Sequence, residues 1–290
     1  MKLARFSAPE ASGLGVVADD IVYDVRKNVP FVAPSIVDLL SSWGDVKDFL
    51  EAAIKVAPQY RLSEVKLLAP IPRPGKILAI AKNYAAHAEE MGGVAGGTQN
   101  WFCKHSTGIN HPFDPVVSPS VSEMLDYEAE LVVVISKTAR HVPRERAHEI
   151  IGGYMCGCDY TVRDWQRATP NMMIGKSFDT HAPIGPWVTT ADEIDSIDEL
   201  RVKCFVNDEK RQDAPAKGMI FTLADQIEHL TKVMTLEPGD LIFTGTPEGV
   251  GHAAKPPRYL KPGDKVTVEI DKLGSISAPI VSESAECVIS

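Results

Sequence analysis

The run Asp126-Tyr-Glu128-Ala-Glu130-Leu131-Val-Val-Val-Ile135 constrains this chain more than any other stretch of it. Five consecutive apolar residues rich in β-branched side chains suit a strand buried on both faces. Two carboxylates stand at the entrance of that strand. Residues two apart on a strand point to the same side, so Glu128 and Glu130 project together. Bare carboxylates in such a place repel each other and are costly to desolvate. A hard divalent cation removes both objections. Asp159, at the end of the next strand-like segment (residues 152–158), supplies a third oxygen ligand. Three carboxylates without paired soft ligands favour Mg²⁺ or Mn²⁺, with Ca²⁺ as the alternative, and an octahedral ion keeps about three positions for water or substrate. Glu-x-Glu is also common on solvated strand edges, and taken alone the triplet favours that plainer reading. The residues around it tip the balance toward a metal site.

Asp159-Tyr-Thr-Val-Arg163-Asp-Trp-Gln166 places an arginine and a glutamine just beyond the third carboxylate. Arg163 suits a carboxylate held bidentately, or pairs with its acidic neighbours, and Gln166 donates to an oxo or carboxylate oxygen. Lys176, in an irregular glycine- and proline-rich segment, supplies an ammonium for an enolate oxygen or offsets the carboxylates. In Asn83-Tyr84-Ala-Ala-His87-Ala-Glu89-Glu90-Met-Gly-Gly, His87 and Glu90 lie three apart on one helix face. A carboxylate there fixes the imidazole tautomer and raises its basicity, as a general base needs; an exposed histidine–glutamate pair is the plainer alternative. The four glycines within residues 92–97 give such a helix the freedom of a lid. Thr244-Gly-Thr246-Pro-Glu-Gly-Val-Gly251 is a glycine-rich turn after a strand, able to present Thr246 and backbone N–H groups to a carboxylate. There is no Walker loop, no GxGxxG after a strand and no GxSxG elbow, so nucleotide sites and serine hydrolases have no support.

A net charge of −9 argues against nucleic acid or an anionic membrane as the main partner and leaves a small anionic substrate, which senses only its local pocket. Five cysteines with no CxxC pair fit a reducing cytoplasm. The opening MKLARFSAPEASG lacks the apolar core of a signal peptide, and no run approaches a membrane span, so a soluble cytoplasmic protein is expected. Strand-like pieces (1–6, 15–17, 21–24) and helices near 35–40 and 45–57 precede the proline-rich stretch Ala69-Pro-Ile-Pro-Arg-Pro-Gly75. That stretch reads as a boundary, with a small N-terminal domain over 1–69 and a catalytic domain over 70–290. Strands follow at 76–81, 128–136, 187–190, 200–207, 240–244, 265–270 and 274–281, with helices at 84–91, 144–150 and 222–234. The expected class is α+β.

In order, Lys82-Asn-Tyr-Ala-Ala-His-Ala-Glu-Glu-Met-Gly92, Asp126-Tyr-Glu-Ala-Glu-Leu131, Cys158-Asp-Tyr-Thr-Val-Arg-Asp-Trp-Gln166, Gly175-Lys-Ser-Phe-Asp-Thr180 and Thr244-Gly-Thr-Pro-Glu-Gly-Val-Gly251 resemble the fumarylacetoacetate hydrolase family. The likeness covers roughly residues 70–285, and several motifs in one order carry more than any one alone. It implies a mixed β-roll catalytic domain, a homodimer, and Mg²⁺ or Mn²⁺ held by Glu128, Glu130 and Asp159. It further implies that His87 and Glu90 form a water-activating dyad on a lid, with Lys176 beside the metal. Arg163, Gln166 and Thr246 match positions that bind the substrate's oxo-acid end, and Lys104 matches a lysine that follows the lid and joins that set. Two departures touch the substrate rather than the chemistry: Tyr160-Thr161-Val162-Arg163 stands where the family reads Val-Ser-Ala-Arg, and His105 and His111 are added near the site. The expected activity is hydrolysis of a carbon–carbon bond in a 2,4-dioxo acid of the acylpyruvate or fumarylpyruvate type, by way of a pyruvate enolate. Decarboxylation, isomerisation or hydration of a 2-oxo acid are alternatives on the same site, and a non-catalytic metal-binding scaffold is the alternative of another class.

Overall fold

The computed structural model describes residues 1–26, 35–93, 96–284 and 289. The strand Ala129–Ile135 is buried along its whole length, and it explains the architecture. Its side chains alternate between two cores. Leu131, Val133 and Ile135 join Val202, Cys204, Val268 and Ile276 of a five-stranded sheet, while Val132 and Val134 join Leu39, Leu40 and Leu50 of the N-terminal helices. Each such side chain contributes roughly 1.5–3 kcal/mol by leaving water, so the uninterrupted apolar run is what a doubly covered strand requires.

The large sheet is twelve-stranded and mixed. From one edge it runs Gln59–Arg61, Ile21–Asp24, Ala11–Ala18, Lys2–Ala8, Ala182–Thr190, Ile151–Cys158, Ala129–Ile135, Leu241–Phe243, Ile77–Ala81 and Asn100–Lys104, with two short strands branching off. Lys2 and Leu3 pair with Thr189 and Val188, so the N-terminal strands continue the sheet that carries the carboxylates. The smaller sheet runs Glu209–Pro215, Arg201–Val206, Lys265–Ile270, Gly274–Ser282 and Val116–Ser118 and covers one face of the larger. Together they form the expected mixed α+β roll.

Two elements differ from the sequence reading. The segment around Pro183 and Pro186, expected to be irregular up to Trp187, is one nine-residue buried strand, Ala182–Thr190. Its pairing with Ile151–Cys158 shifts register between Tyr154 and Cys156, and that irregularity accommodates residues without an N–H. Residues 144–150, read as a helix, form a 3₁₀ stretch confined between Pro143 and the strand at Ile151. The helix Leu223–Val233 matches its expected position and opens with a capping box, Thr222 and Asp225 each bonding the other's backbone N–H. No helix among the described residues is long and apolar enough to cross a membrane. The four described cysteines are free.

Candidate metal centre

Register builds the centre. Antiparallel pairing sets Ala129 opposite Cys158 and Glu130 opposite Gly157, and the Asp159 N–H donates to the Glu128 carbonyl at 2.8 Å. Glu128 and Asp159 therefore face each other at the open end of the strand pair, with Glu130 one step inward. Gly157 has no substitute there, because a Cβ would fall 2.5 Å from Val132 Cγ2 and 2.9 Å from the Phe243 ring. Carboxylate oxygens of Glu128, Glu130 and Asp159 lie within 4.8 Å of one another, and all three residues are buried.

Strict alternation would carry Asp126 to the same side. The chain instead breaks pairing at Tyr127 and Glu128, and Asp126 belongs to a separate two-residue strand, Leu125–Asp126. Fully buried, it accepts from Arg163 Nε at 2.8 Å, Gly251 N at 2.8 Å and His252 N at 2.9 Å. Arg163 is thereby fixed, with Nη1 2.7 Å from Glu128 Oε1 and 3.2 Å from Gln166 Oε1. Its Nη2 approaches Asp126 Oδ2 to 2.7 Å without hydrogen-bond alignment, which leaves a buried donor unsatisfied. Sequence reading missed this role of Asp126. The signal was present in the motif, but which face the residue takes depends on where the strand breaks.

Lys176 Nζ lies 2.6 Å from both Glu128 Oε2 and Asp159 Oδ2, and 4.8 Å above the Phe102 ring. Lys104 Nζ lies 2.6 Å from Asp159 Oδ1 and also donates to the carbonyls of Tyr160 and Lys176. Lys104 therefore grips the outer oxygen of Asp159 and the backbone of Lys176, and it does not line the cavity described below. Among the described residues, four buried carboxylates (Asp126, Glu128, Glu130 and Asp159) face three buried cations (Arg163, Lys104 and Lys176).

The imbalance falls on Glu130. It has no ion pair among the described residues, and its Oε2 accepts only from Gly245 N at 2.7 Å. Burial, followed by repulsion from Asp159 and Glu128, pushes its carboxyl well above the ordinary range. Burial acts the same way on Glu128, but Lys176 and Arg163 outweigh it and hold that carboxyl well below its usual value. Burial lowers Lys104, whereas Asp159 and Glu128 overcome burial and raise Lys176. A buried carboxylate short of one counter-charge, beside two more oxygen donors, is what a divalent cation completes. The donor set fits Mg²⁺ or Mn²⁺.

A pH dependence follows. A carboxyl raised above its unfolded value holds its proton to higher pH in the metal-free protein, so this group favours the folded state as pH falls from the raised value toward about 4.3. A cation must displace that proton, so affinity should drop up to about tenfold per pH unit below the raised value. Titration calorimetry in buffers of different ionisation enthalpy should show proton release on Mn²⁺ binding. In Glu130→Gln the release should vanish and affinity should fall by about a hundredfold, while the metal-free variant melts higher because folding no longer has to bury an ionisable carboxyl that resists ionisation. Proton release unchanged in that variant would refute the assignment.

The helix Ala85–Glu90 closes over the centre. His87 Nδ1 lies 3.1 Å from Glu90 Oε2, and Glu90 Oε1 accepts from Gly249 N at 2.9 Å. The carboxylate that orients the imidazole thus also joins the helix to the loop of residues 244–251. Asn83 roots the helix: its side chain donates to the Thr244 carbonyl at 2.8 Å and accepts from Phe221 N at 2.8 Å. Gly245 (φ 97°) is required beneath it, since a Cβ there would come 2.8 Å from Asn83 Cβ. Gly92 and Gly93 follow the helix, whereas residues 94 and 95 of the expected glycine-rich hinge lie outside the described residues.

His87, Glu128, Glu130, Arg163, Gln166, Lys176 and Thr246 share one cavity of about 80 Å³, walled also by Lys82, Met91, Phe102 and Met172. The Thr246 hydroxyl donates to the Ala129 carbonyl at 2.9 Å and accepts from Gln212 at 2.8 Å, so its proton is already spent on the backbone. The two added histidines do not line this cavity. His111 Nδ1 accepts from Ala69 N at 3.0 Å and pins the proline-rich segment, while His105 is exposed. Tyr160, Thr161 and Val162 are buried away from the cavity, so that departure does not reshape its wall. A surface cavity of about 850 Å³ between Arg61, Phe113 and Trp187 has Asp20 as the one carboxylate among its described lining residues and lies apart from the centre.

Comparison with known proteins agrees with this geometry. The fumarylacetoacetate (FAA) hydrolase C-terminal profile matches residues 76–281. An oxaloacetate tautomerase of Bacillus subtilis is 44% identical over 225 residues, covering 76% of this chain and 75% of that protein. A maleylpyruvate hydrolase of Aquipseudomonas alcaligenes is 35% identical over 300 residues, covering 97% of this chain and 100% of that protein. The crystal structure of maleylpyruvate hydrolase from Sphingobium sp. SYK-6, in complex with manganese(II) and pyruvate, superposes with a TM-score of 0.84 at 33% identity, covering 98% of this chain and 100% of that one. With the profile spanning most of the sequence and the carboxylates converging as its chemistry requires, the chain belongs to the fumarylacetoacetate hydrolase family.

Proposed function

We propose that the protein is a divalent-metal-dependent hydrolase that cleaves a carbon–carbon bond in small 2,4-dioxo acids. The observation that carries this reading is the placement of His87, aligned by Glu90, on the same cavity as Glu128 and Glu130, whose carboxylates converge with that of Asp159. When bound, Mg²⁺ or Mn²⁺ supplies Lewis acidity toward the substrate's oxygens. Arg163, whose Nη2 lacks an aligned partner, and Gln166 orient the oxo-acid end. His87 takes a proton from water, and the hydroxide adds to the distal carbonyl carbon. The bond between that carbon and the methylene breaks, its electron pair passing into the enolate of pyruvate. Lys176 offsets the developing negative charge, and a proton returned to the methylene carbon completes pyruvate and the second acid. The helix Ala85–Glu90 excludes bulk water during the reaction.

A second reading has specific support: the Bacillus subtilis relative is an oxaloacetate tautomerase, and moving one proton at the carbon next to an oxo group needs the same base and the same cavity. Decarboxylation and hydration are further outcomes of that chemistry. A non-catalytic scaffold accounts poorly for a buried base aligned by its own carboxylate on the cavity of Glu128 and Glu130. The proposal includes a homodimer, to be read by sedimentation. The decisive assay follows acylpyruvates, fumarylpyruvate and oxaloacetate with Mn²⁺ or Mg²⁺ and again with EDTA. Metal-dependent release of pyruvate plus an acid identifies the hydrolase. Loss of enol absorbance from oxaloacetate without pyruvate identifies the tautomerase, and pyruvate with CO₂ the decarboxylase. Silence on every acid by metal-loaded protein would sink the proposal.

A further inference from the structure

We infer that Lys82 seats the second carboxylate of a dicarboxylic substrate and so sets the substrate class; this rests on the oxo-acid chemistry proposed above. Four basic side chains line the cavity. Arg163 and Lys176 are ion-paired with buried carboxylates, and His87 is held by Glu90. Lys82 is the one basic lining residue, among those described, with no ion pair and no hydrogen bond to its side chain. Its position is specified by the fold. It follows the strand Ile77–Ala81 and precedes Asn83, whose side chain is tied on both sides, and its φ of 55° is a left-handed conformation that lysine rarely adopts. The ammonium lies beside the turn that ends the helix Ala85–Glu90, for a Cβ on Gly93 would come 3.3 Å from Nζ. A solvent-exposed cation without an ion pair therefore stands at the edge of a cavity whose other basic groups already have partners.

The electrostatics favour a dianion. A 2-oxo acid places its first carboxylate toward Arg163 and Gln166, where the local charge is already matched. A second carboxylate brought into the same cavity meets Glu128 and Glu130 and needs a counter-charge, which Lys82 alone supplies. Oxaloacetate and maleylpyruvate, named for two relatives, each carry two carboxylates.

The test uses Lys82→Met and Lys82→Arg in metal-loaded protein, with melting temperature confirming the fold. Calorimetry with pyruvate and with 2-oxoglutarate compares ligands that share an oxo-acid end and differ in a distal carboxylate, and it needs no turnover. In Lys82→Met, the Kd for 2-oxoglutarate should rise about 10- to 100-fold while that for pyruvate stays within about twofold. Lys82→Arg should restore most of the difference. Under turnover, KM for a dicarboxylic substrate should rise similarly with kcat within about threefold, and KM for acetylpyruvate should hold. Equal changes for both ligand classes, or none, overturn the inference. Discrimination in binding without turnover of any acid leaves Lys82 assigned and removes the proposed reaction instead.

Discussion

His87→Ala is expected to lower turnover by about 10²- to 10⁴-fold while Mn²⁺ affinity stays within about threefold. The imidazole lies within hydrogen-bond reach of Glu90 and makes no hydrogen bond to Glu128, Glu130 or Asp159 among the described residues, so its loss removes the base and spares the donor set. Glu90→Gln should give a smaller kinetic defect, since an amide still accepts from Gly249 N but holds the imidazole without a carboxylate's charge. Steady-state kinetics beside metal titration separates these outcomes. A His87→Ala protein that loses the metal, or keeps full turnover, contradicts the assigned role.

Lys176→Met should act most strongly on the protein without metal, lowering its stability by about 3–5 kcal/mol. Lys176 Nζ is the counter-charge to Glu128 Oε2 and Asp159 Oδ2, both buried, and methionine leaves these oxygens desolvated and unpaired. The same ammonium competes with a cation for the same oxygens. Mn²⁺ should therefore stabilise the variant more than it stabilises the wild type, because binding to the folded state raises stability by mass action. Urea unfolding with EDTA and with excess Mn²⁺ reads both effects. A loss of equal size in the two conditions would mean that Lys176 does not share its site with the cation. Turnover of the metal-loaded variant should also fall, since Lys176 offsets charge on the departing enolate.

Local geometry made part of the centre legible in the sequence. The period of a strand pointed to Glu128 and Glu130 on one side, and they do converge although Glu128 stands just before the strand Ala129–Ile135; His87 meets Glu90 because helices place residues three apart together. The apolar run after Glu130 announced a doubly covered strand. Asp126 was not legible, because its side depends on a break in pairing that the sequence does not mark. Nor was the first half of the strand Ala182–Thr190, expected only from Trp187 onward, because its prolines forbid regular pairing yet are tolerated at a shifted register against Ile151–Cys158. The role of His111 was open in the sequence, and the structure makes it an acceptor for Ala69 N.

The sequence by itself determined the family, the strand-rich α+β class and a set of three carboxylates suited to a divalent cation. Those properties follow from residue type and short-range spacing, which survive without knowledge of the fold. Only the tertiary structure decided which cation neutralises which carboxylate: Lys104 and Lys176 on Asp159, Arg163 on Asp126, Arg163 and Lys176 on Glu128, and, among the described residues, none on Glu130. These partners lie 17 to 55 residues apart for the lysines and Asp159, and 37 for Arg163 and Asp126. In a low-dielectric interior, such pairings depend on ångström-scale placement that no local pattern encodes. They set the charge deficit at Glu130 and leave Lys82 free at the cavity's edge.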